Sequence, residues 1–119
     1  MIALTADLFF RAKIEEAAKA LGLERPRFAA SVQQAAEQAA KLGREAGGPV
    51  LVLLELGPRT GGVDAVATIV AAAPAARVVA FGSHVDTETL ERARSLGAAE
   101  VMARSRFVQE MPRILSGKP

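Results

Sequence analysis

One stretch of the chain is apolar throughout and then ends in an acid. Residues 50–54 read Val-Leu-Val-Leu-Leu, Glu55 follows, and Gly57-Pro58 begin a turn. A strand without polar alternation is typical of a parallel sheet that helices cover on both faces. The stretch therefore predicts a buried strand over 50–55. Glu55 would lie at the edge where open α/β folds bind their ligands.

The same pairing of a short apolar run with a helical stretch occurs five times. Periodicity predicts strands at 1–5, 27–30, 50–55, 77–81 and 100–103, each followed by a helix. The predicted N-caps of four of these helices are Asp7, Ser31, Asp86 and Ser105. Pro112 falls inside the last helix, where the sequence leaves open a kink or a break into two pieces.

Five such units with short connections define the fold class. We predict an α/β fold: a doubly wound, five-stranded parallel sheet of order 2-1-3-4-5 with helices on both faces. A chain of 119 residues forms one domain, 1–119, with 116–119 as a loose tail. Because the chain has five Phe and no Trp or Tyr, we expect an aliphatic core.

Composition narrows the function classes. The net charge is +2 and the basic residues form no run, which argues against a nucleic-acid partner. The absence of cysteine excludes disulfides and thiolate sites, and His84, the only histidine, cannot build a histidine cluster. Residues 63–76 are too short to span a bilayer, and the N-terminus reads as a strand rather than a signal peptide. We expect a cytoplasmic domain with no membrane contact and no cofactor.

Two stretches carry a resemblance to a known family. Residues 78–84 read Val-Val-Ala-Phe-Gly-Ser-His, and 90–102 read Leu-Glu-Arg-Ala-Arg-Ser-Leu-Gly-Ala-Ala-Glu-Val-Met. Together with the five βα units, they resemble the receiver domain of response regulators, which has a CheY-like, flavodoxin-like fold. The resemblance covers almost the whole chain and implies a role in signal transduction.

The resemblance implies a site at the carboxyl ends of the strands. In receivers an acidic pair after the first strand binds Mg²⁺, and an aspartate ending the third strand accepts a phosphoryl group. A Thr or Ser after the fourth strand and a Lys after the fifth strand contact that phosphoryl group. An aromatic side chain on the fifth strand rotates when the domain switches between its states. The matching positions in this chain are Ala6 and Asp7, Glu55, Gly82 with its neighbour Ser83, Arg104, and Val101.

These departures predict a site that is not phosphorylated. Glu55 would carry its carboxylate about 1.5 Å further than an aspartate, which loses the in-line geometry. Arg104 offers a planar fork suited to a carboxylate rather than a point charge. Asp7 remains as a remnant metal ligand, although a helix N-cap is the favoured interpretation. A Glu55–Arg104 ion pair is one hypothesis, and two solvated side chains worth less than about 1 kcal/mol is the other.

The predicted function is a non-phosphorylatable, receiver-like interaction or regulatory module rather than an enzyme. Its partner would be a protein, either a different one or a second copy. The predicted partner face spans the fourth helix, the fifth strand and the fifth helix, with exposed Leu90, Val108 and Met111 beside Arg94.

Two alternatives remain open. The first is a small anion- or nucleotide-binding protein, or a weak enzyme, that uses Glu55, Arg104 and the loop residues Gly57, Arg59, Thr60, Gly61 and Gly62. This loop lacks the Gly-Lys-Ser/Thr ending of a P-loop, and a plain turn is the simpler interpretation. The second is a receiver that accepts phosphate on a neighbouring acid.

Overall fold

The computed structural model of the chain describes residues 1–83 and 86–117. Strands and helices alternate along the chain as the sequence predicts. The strands are β1 (Ile2–Leu4), β2 (Arg27–Phe28), β3 (Leu51–Glu55), β4 (Arg77–Gly82) and β5 (Glu100–Ala103). The helices are α1 (Leu8–Ala20), α2 (Val32–Ala46), α3 (Asp64–Ala72), α4 (Thr87–Ser95) and α5 (Arg104–Leu115), with a 3₁₀ turn at Pro58–Thr60.

The five strands form one parallel sheet of order β2-β1-β3-β4-β5, and the predicted fold class is confirmed. β3 lies at its centre, with Leu53 in register with Ala3 of β1 and Val79 of β4. Glu55 is in register with Phe81 at the carboxyl end of the sheet. The predicted edge strand, β2, has only two residues.

The sheet separates two apolar cores. One face packs against α2, α3 and α4 through aliphatic and alanine side chains, including Val52, Leu54 and Ala35. The other face packs against α1 and α5 and contains Leu53. Phe10, Phe81 and Phe107 stack there, with ring centroids 4.1 to 6.2 Å apart. The prediction of an aliphatic core therefore holds for the first face and is wrong for the second.

The helix ends are set largely by local sequence. Asp7, Ser31 and Asp86 each accept a backbone amide in the first turn of their helix, so three of the predicted N-caps are confirmed. The fourth is wrong, because α5 begins at Arg104 with the extended Ala103 as its cap. Ala103 is still paired with Gly82 in the sheet, so the chain passes directly from strand to helix and Ser105 lies inside the first turn.

Pro112 does not break the last helix. α5 is one continuous helix over Arg104–Leu115, so of the two outcomes that the sequence leaves open, a kink or a break, the break is excluded. Pro112 lies in the last turn of α5 and is exposed, and it costs the helix the one backbone hydrogen bond that an amide at this position would donate. Ser116 adds its own contacts there, because its amide and hydroxyl both donate to the Pro112 carbonyl.

Two sequence predictions fall partly outside the described residues. His84, predicted on the loop after the fourth strand, lies outside them, as do the last two residues of the predicted loose tail, Lys118 and Pro119. The first two residues of that tail, Ser116 and Gly117, are exposed but hydrogen-bonded to the end of α5. Within 1–83 and 86–117, no helix is both long and apolar enough to cross a membrane.

Candidate functional site

The candidate site lies at the carboxyl end of the sheet, where β3 delivers Glu55. Side chains alternate along β3, so Glu55 points to the same face as Leu53, the face covered by α1 and α5. Glu55 is only 6% exposed, although it is the last residue of its strand. A carboxylate at such a depth needs partners for both of its oxygens.

Three donors satisfy that carboxylate. The Thr5 hydroxyl lies 2.9 Å from Glu55 Oε1, and the Ala6 amide donates to the same oxygen at 3.1 Å. On the other oxygen, Arg104 Nη2 lies 2.5 Å from Glu55 Oε2. The residues after β1, at the end of β3 and after β5 are thereby tied together by one side chain. Charge-assisted hydrogen bonds of this kind are roughly twice as strong as neutral ones.

Arg104 enters the site from the first position of α5. Its guanidinium carbon lies 4.9 Å from the centre of the Phe10 ring, and that ring belongs to the aromatic stack beneath the site. Its Nη1 lies 3.8 Å from Asp7 Oδ2, a longer contact than the one with Glu55. Arg104 Nε is buried without a hydrogen-bond partner. The arginine is therefore held by a short ion pair and by an aromatic face.

The receiver metal site has no equivalent set of ligands here. Ala6 has no side-chain oxygen, and Asp7 uses Oδ1 to accept the Phe9 amide at 2.9 Å while its Oδ2 faces Arg104. No group of three or more His, Cys, Asp or Glu residues that could hold a metal is found within residues 1–83 and 86–117. Mg²⁺ requires near-octahedral oxygen ligands, so the side chains present do not fit it.

The remaining receiver positions lie at separate depths. Gly82 is buried at the end of β4, and Ser83 is exposed beside the site. Val101 is buried in the core on the opposite face of the sheet, with α2, α3 and α4. Gly82 offers no hydroxyl and Val101 no ring, so neither position retains the side-chain group that the receiver pattern has there.

The loop proposed for anion binding is folded on itself. The amides of Thr60 and Gly62 both donate to the Gly57 carbonyl, at 3.1 and 2.9 Å. Thr60 is buried, and its hydroxyl donates to the Glu55 carbonyl and sits 3.2 Å from the Gly57 carbonyl. Gly61 has a φ of 84° and its α-carbon faces Val32, so a larger residue would be strained there. Two of the amides that an anion would use are thus occupied, and exposed Arg59 is the basic side chain of the loop.

These residues surround a cleft of about 490 Å³ at the carboxyl end of the sheet. Glu55 and Arg104 both line it, as do Arg59, Ser83 and the exposed Leu8. The structure therefore brings Asp7, Glu55, Ser83 and Arg104 into one place with the first part of the loop, 57–60. It leaves Val101 away from them.

The predicted partner face is only partly formed. Met111 is 3% exposed and packs in the core with α1, so the expectation that it is exposed is wrong. Val108 is half-buried against the same core, whereas Leu90 packs on the other face of the sheet. Arg94 is exposed. The turn of α5 that carries Val108 and Met111 faces α1, which is why these apolar side chains do not continue the surface of α4.

Two residues of the site escaped the sequence prediction. Thr5 donates to Glu55, and Phe10 lies under Arg104. Thr5 could have been found from its place directly after the predicted first strand, the neighbour of the third strand. Phe10 carried no such signal, because its helical position predicts only a core residue.

A second charged cluster lies at the opposite end of β4 and β5. Arg77 Nη2 is 2.6 Å from Glu100 Oε2, and Arg113 Nη2 is 2.8 Å from Glu100 Oε1. Arg113 also contacts Glu110, which pairs in turn with Arg106. The hydrogen bond from Arg113 is the main reason that the pKa of Glu100 lies below its usual value, with burial acting in the opposite direction.

Comparison with solved structures identifies proteins of similar fold. No protein-family model and no curated protein matches the sequence. A response regulator from Burkholderia pseudomallei, solved with a phosphorylated aspartic acid, calcium and citrate, is similar in structure. Its TM-score is 0.75 and its identity 17%, over 96% of this chain and 64% of that one. This chain therefore spans only part of that protein's length.

Two further structures are similar over nearly their whole length. The beryllofluoride-activated NtrC4 receiver domain dimer has a TM-score of 0.73 at 16% identity, over 98% of this chain and 95% of that one. The response regulator domain of Thermotoga maritima CheB has a TM-score of 0.73 at 17% identity, over 98% and 92%. The chain therefore has the fold of response-regulator receiver domains.

Proposed function

We propose that this chain is a receiver-like regulatory module that binds a protein partner and does not accept a phosphoryl group. The fold supports a receiver-like module. The observation that carries the finer proposal is the engagement of Glu55, whose two carboxylate oxygens accept from Thr5, Ala6 and Arg104. An acceptor carboxylate must instead present an oxygen to an incoming phosphorus in line with its leaving group.

The surroundings of Glu55 support the same proposal. The Burkholderia response regulator carries its phosphoryl group on an aspartic acid. Glu55, which the receiver resemblance places at the acceptor position, is one methylene longer and 6% exposed. The group that would neutralise a phosphoryl charge, Arg104, already contacts the carboxylate. The neighbouring carboxylate, Asp7, is used as a helix cap.

This arrangement suits a module that is held in one state. The Glu55–Arg104 pair links the end of β3 to the start of α5 without any added group, so the surface near the site would not depend on phosphorylation. A partner would then bind to a surface that does not change. Binding would be regulated by the amount of this protein or by changes in the partner. Receiver domains with this fold include one solved as a dimer, the NtrC4 domain.

Phosphoryl transfer tests the proposal directly. The protein is incubated with Mg²⁺ and acetyl phosphate and its intact mass is measured, with an aspartate-bearing receiver domain treated in parallel. We expect no adduct on the native chain. The matched variant Ala6→Asp/Glu55→Asp/Arg104→Lys restores the metal-binding acid, the acceptor aspartate and the lysine of the receiver pattern, and we expect it to gain one phosphoryl group.

Two results would overturn the proposal. A stoichiometric adduct on the native chain that disappears in Glu55→Gln would make Glu55 an acceptor. An adduct that survives in Glu55→Gln and disappears in Asp7→Asn would place the phosphoryl group on the neighbouring acid.

A further inference from the structure

The exposed apolar side chains of this protein are concentrated on one helix. Four large apolar residues are well exposed within residues 1–83 and 86–117, and all belong to α1 or to the turn that follows it. They are Leu8 (76%), Phe9 (64%), Leu21 (40%) and Leu23 (39%). Scattered exposed apolar residues are ordinary, so exposure alone does not define a surface, and of these four residues only Phe9 belongs to the pattern on one flank of α1.

One flank of α1 has a definite pattern. Phe10 and Ile14 point into the core, and on the flank toward α5 Phe9, Lys13, Glu16 and Ala20 follow one another at helical spacing. We call these four residues the α1 stripe. An aromatic residue stands at one end, a small residue at the other, and opposite charges lie between them.

This pattern is complementary to itself when reversed. If a second α1 packs antiparallel across a two-fold axis between Lys13 and Glu16, each Phe9 lies over an Ala20 and each Lys13 faces a Glu16. A two-fold axis makes every such contact twice, because the same patch is used on both subunits. We propose that the protein forms a homodimer through the α1 stripe.

The contacts of these side chains within one chain are consistent with a second copy binding at the α1 stripe. Neither Lys13 nor Glu16 forms an ion pair with any other residue in the described part of the chain, although Lys13 Nζ lies 4.9 Å from the centre of the Phe9 ring. The exposed Ala12 and Ala20 are small, which permits the 8–10 Å helix separation of close packing. Both charges are therefore available for an ion pair across the proposed axis.

A groove beside the stripe extends the surface toward α5. It has a volume of about 310 Å³, and its walls are the side of α1 and the turn of α5 that carries Val108 and Pro112. Half-buried Val108, predicted as part of a face with α4, therefore lies next to the α1 stripe instead. The second copy would cover this groove, which adds apolar area to a contact that a single helix pair would leave small.

The inference deepens the proposed function by naming a second copy as a partner. It does not depend on the state of Glu55, because the α1 stripe faces away from the sheet. Dimerisation and phosphoryl transfer are measured separately, so a monomeric protein without a phosphoryl adduct would reject this inference alone.

Charge reversal provides the test. Sedimentation velocity of the full chain is measured from about 1 μM to about 1 mM, and we expect a reversible monomer–dimer equilibrium within this range. Lys13→Glu and Glu16→Lys each turn both ion pairs across the axis into pairs of like charges. We expect each to weaken association at least about tenfold, or about 1.4 kcal/mol. The controls are Glu37→Lys and Lys41→Glu, exposed charges on α2 at the other face of the sheet.

Mixing the two variants gives the sharpest result. In an equimolar mixture, a chain with two glutamates meets a chain with two lysines, and both cross-axis pairs become attractive. We expect heterodimers to form where each variant alone is monomeric. Phe9→Ala is expected to abolish the dimer without loss of the folded circular dichroism spectrum, because this ring is largely exposed.

Three results would overturn the proposal. The first is a native protein that stays monomeric over the whole range, which would leave the stripe to a different partner. The second is a dimer that neither charge reversal nor Phe9→Ala affects, and the third is a mixture that stays monomeric.

Discussion

The two ends of the sheet both carry a glutamate bound by arginine, yet they are built differently. At the carboxyl end, the Glu55 side chain is 8% exposed and bonds a hydroxyl, an amide and Arg104. At the other end, the Glu100 side chain is 23% exposed and shares Arg77 and Arg113. Two arginines act on the more exposed acid and one on the buried acid.

The difference shows how burial changes the meaning of an ion pair. Partly exposed pairs such as those of Glu100 gain less, because water competes for both partners and salt screens them. A buried carboxylate loses its hydration, so each donor that replaces water becomes necessary. Glu55 is therefore expected to be the more costly of the two acids to remove, despite having fewer arginines.

Removal of the buried carboxylate should have the largest effect. We expect Glu55→Ala to lower the free energy of unfolding by about 3 kcal/mol, because Thr5, Ala6 and Arg104 all lose their acceptor. Glu55→Gln should cost less, since an amide oxygen can still accept from Thr5 and Ala6. Urea denaturation followed by circular dichroism measures both, with the exposed Glu91→Ala as control. A cost for Glu55→Ala below about 0.5 kcal/mol, the size of a surface change, would remove the contrast.

The corresponding change at the other end should be smaller. We expect Glu100→Ala to cost about 1 kcal/mol, in the upper range for partly exposed pairs, because Arg77 and Arg113 can both turn to water. The cost should also shrink when the urea series is repeated in high salt, whereas that of Glu55→Ala should change little. Equal costs and equal salt sensitivity would mean that burial does not distinguish the two acids.

Acid should weaken the Glu100 cluster in a predictable direction. The pKa of Glu100 is lowered in the folded state, mainly by the hydrogen bond from Arg113. A lowered folded pKa gives stability that is complete above the unfolded value of about 4.3 and is lost as the pH falls through the folded pKa. The difference in stability between the native protein and Glu100→Gln should therefore be present at neutral pH and decline below about pH 4. A difference that is independent of pH would contradict this assignment.

Ligand binding at the loop after β3 should give the smallest change in stability. Because the Thr60 and Gly62 amides are bonded to Gly57, we expect no thermal stabilisation by a panel of nucleotides or by inorganic phosphate. A ligand at 100 times its dissociation constant would stabilise by about 2.7 kcal/mol, which a thermal shift detects easily. A shift that Arg59→Ala abolishes would favour the anion-binding alternative.

Much of the fold could be predicted because its signals are local. The apolar run at 50–54 indicates a buried strand, and Ser31 with Gln34 predicts the start of a helix. Ser105 misled, because a capping residue at the right distance does not act when the strand continues into the helix. Met111 misled for a different reason. Helical spacing tells which residues share a face, but not which neighbouring helix that face meets.

The site was less predictable than the fold because it depends on distant residues. Glu55 and Arg104 are 49 residues apart, and only the strand order brings them to one edge. The exposed face of α1 was missed although Leu8, Phe9 and Phe10 stand together in the sequence. Three consecutive helical residues cannot all point to the core, so at least one of them could have been recognised as a surface residue.

A double-mutant cycle at the carboxyl end of the sheet tests the central claim most directly. Glu55→Gln removes the charge, Arg104→Met retains an aliphatic chain over Phe10, and the third protein carries both changes. If the ion pair holds the site, the double mutant should cost less than the sum of the single mutants by at least about 1 kcal/mol. Costs that add within about 0.3–0.5 kcal/mol would show that Glu55 and Arg104 act independently and would contradict the account.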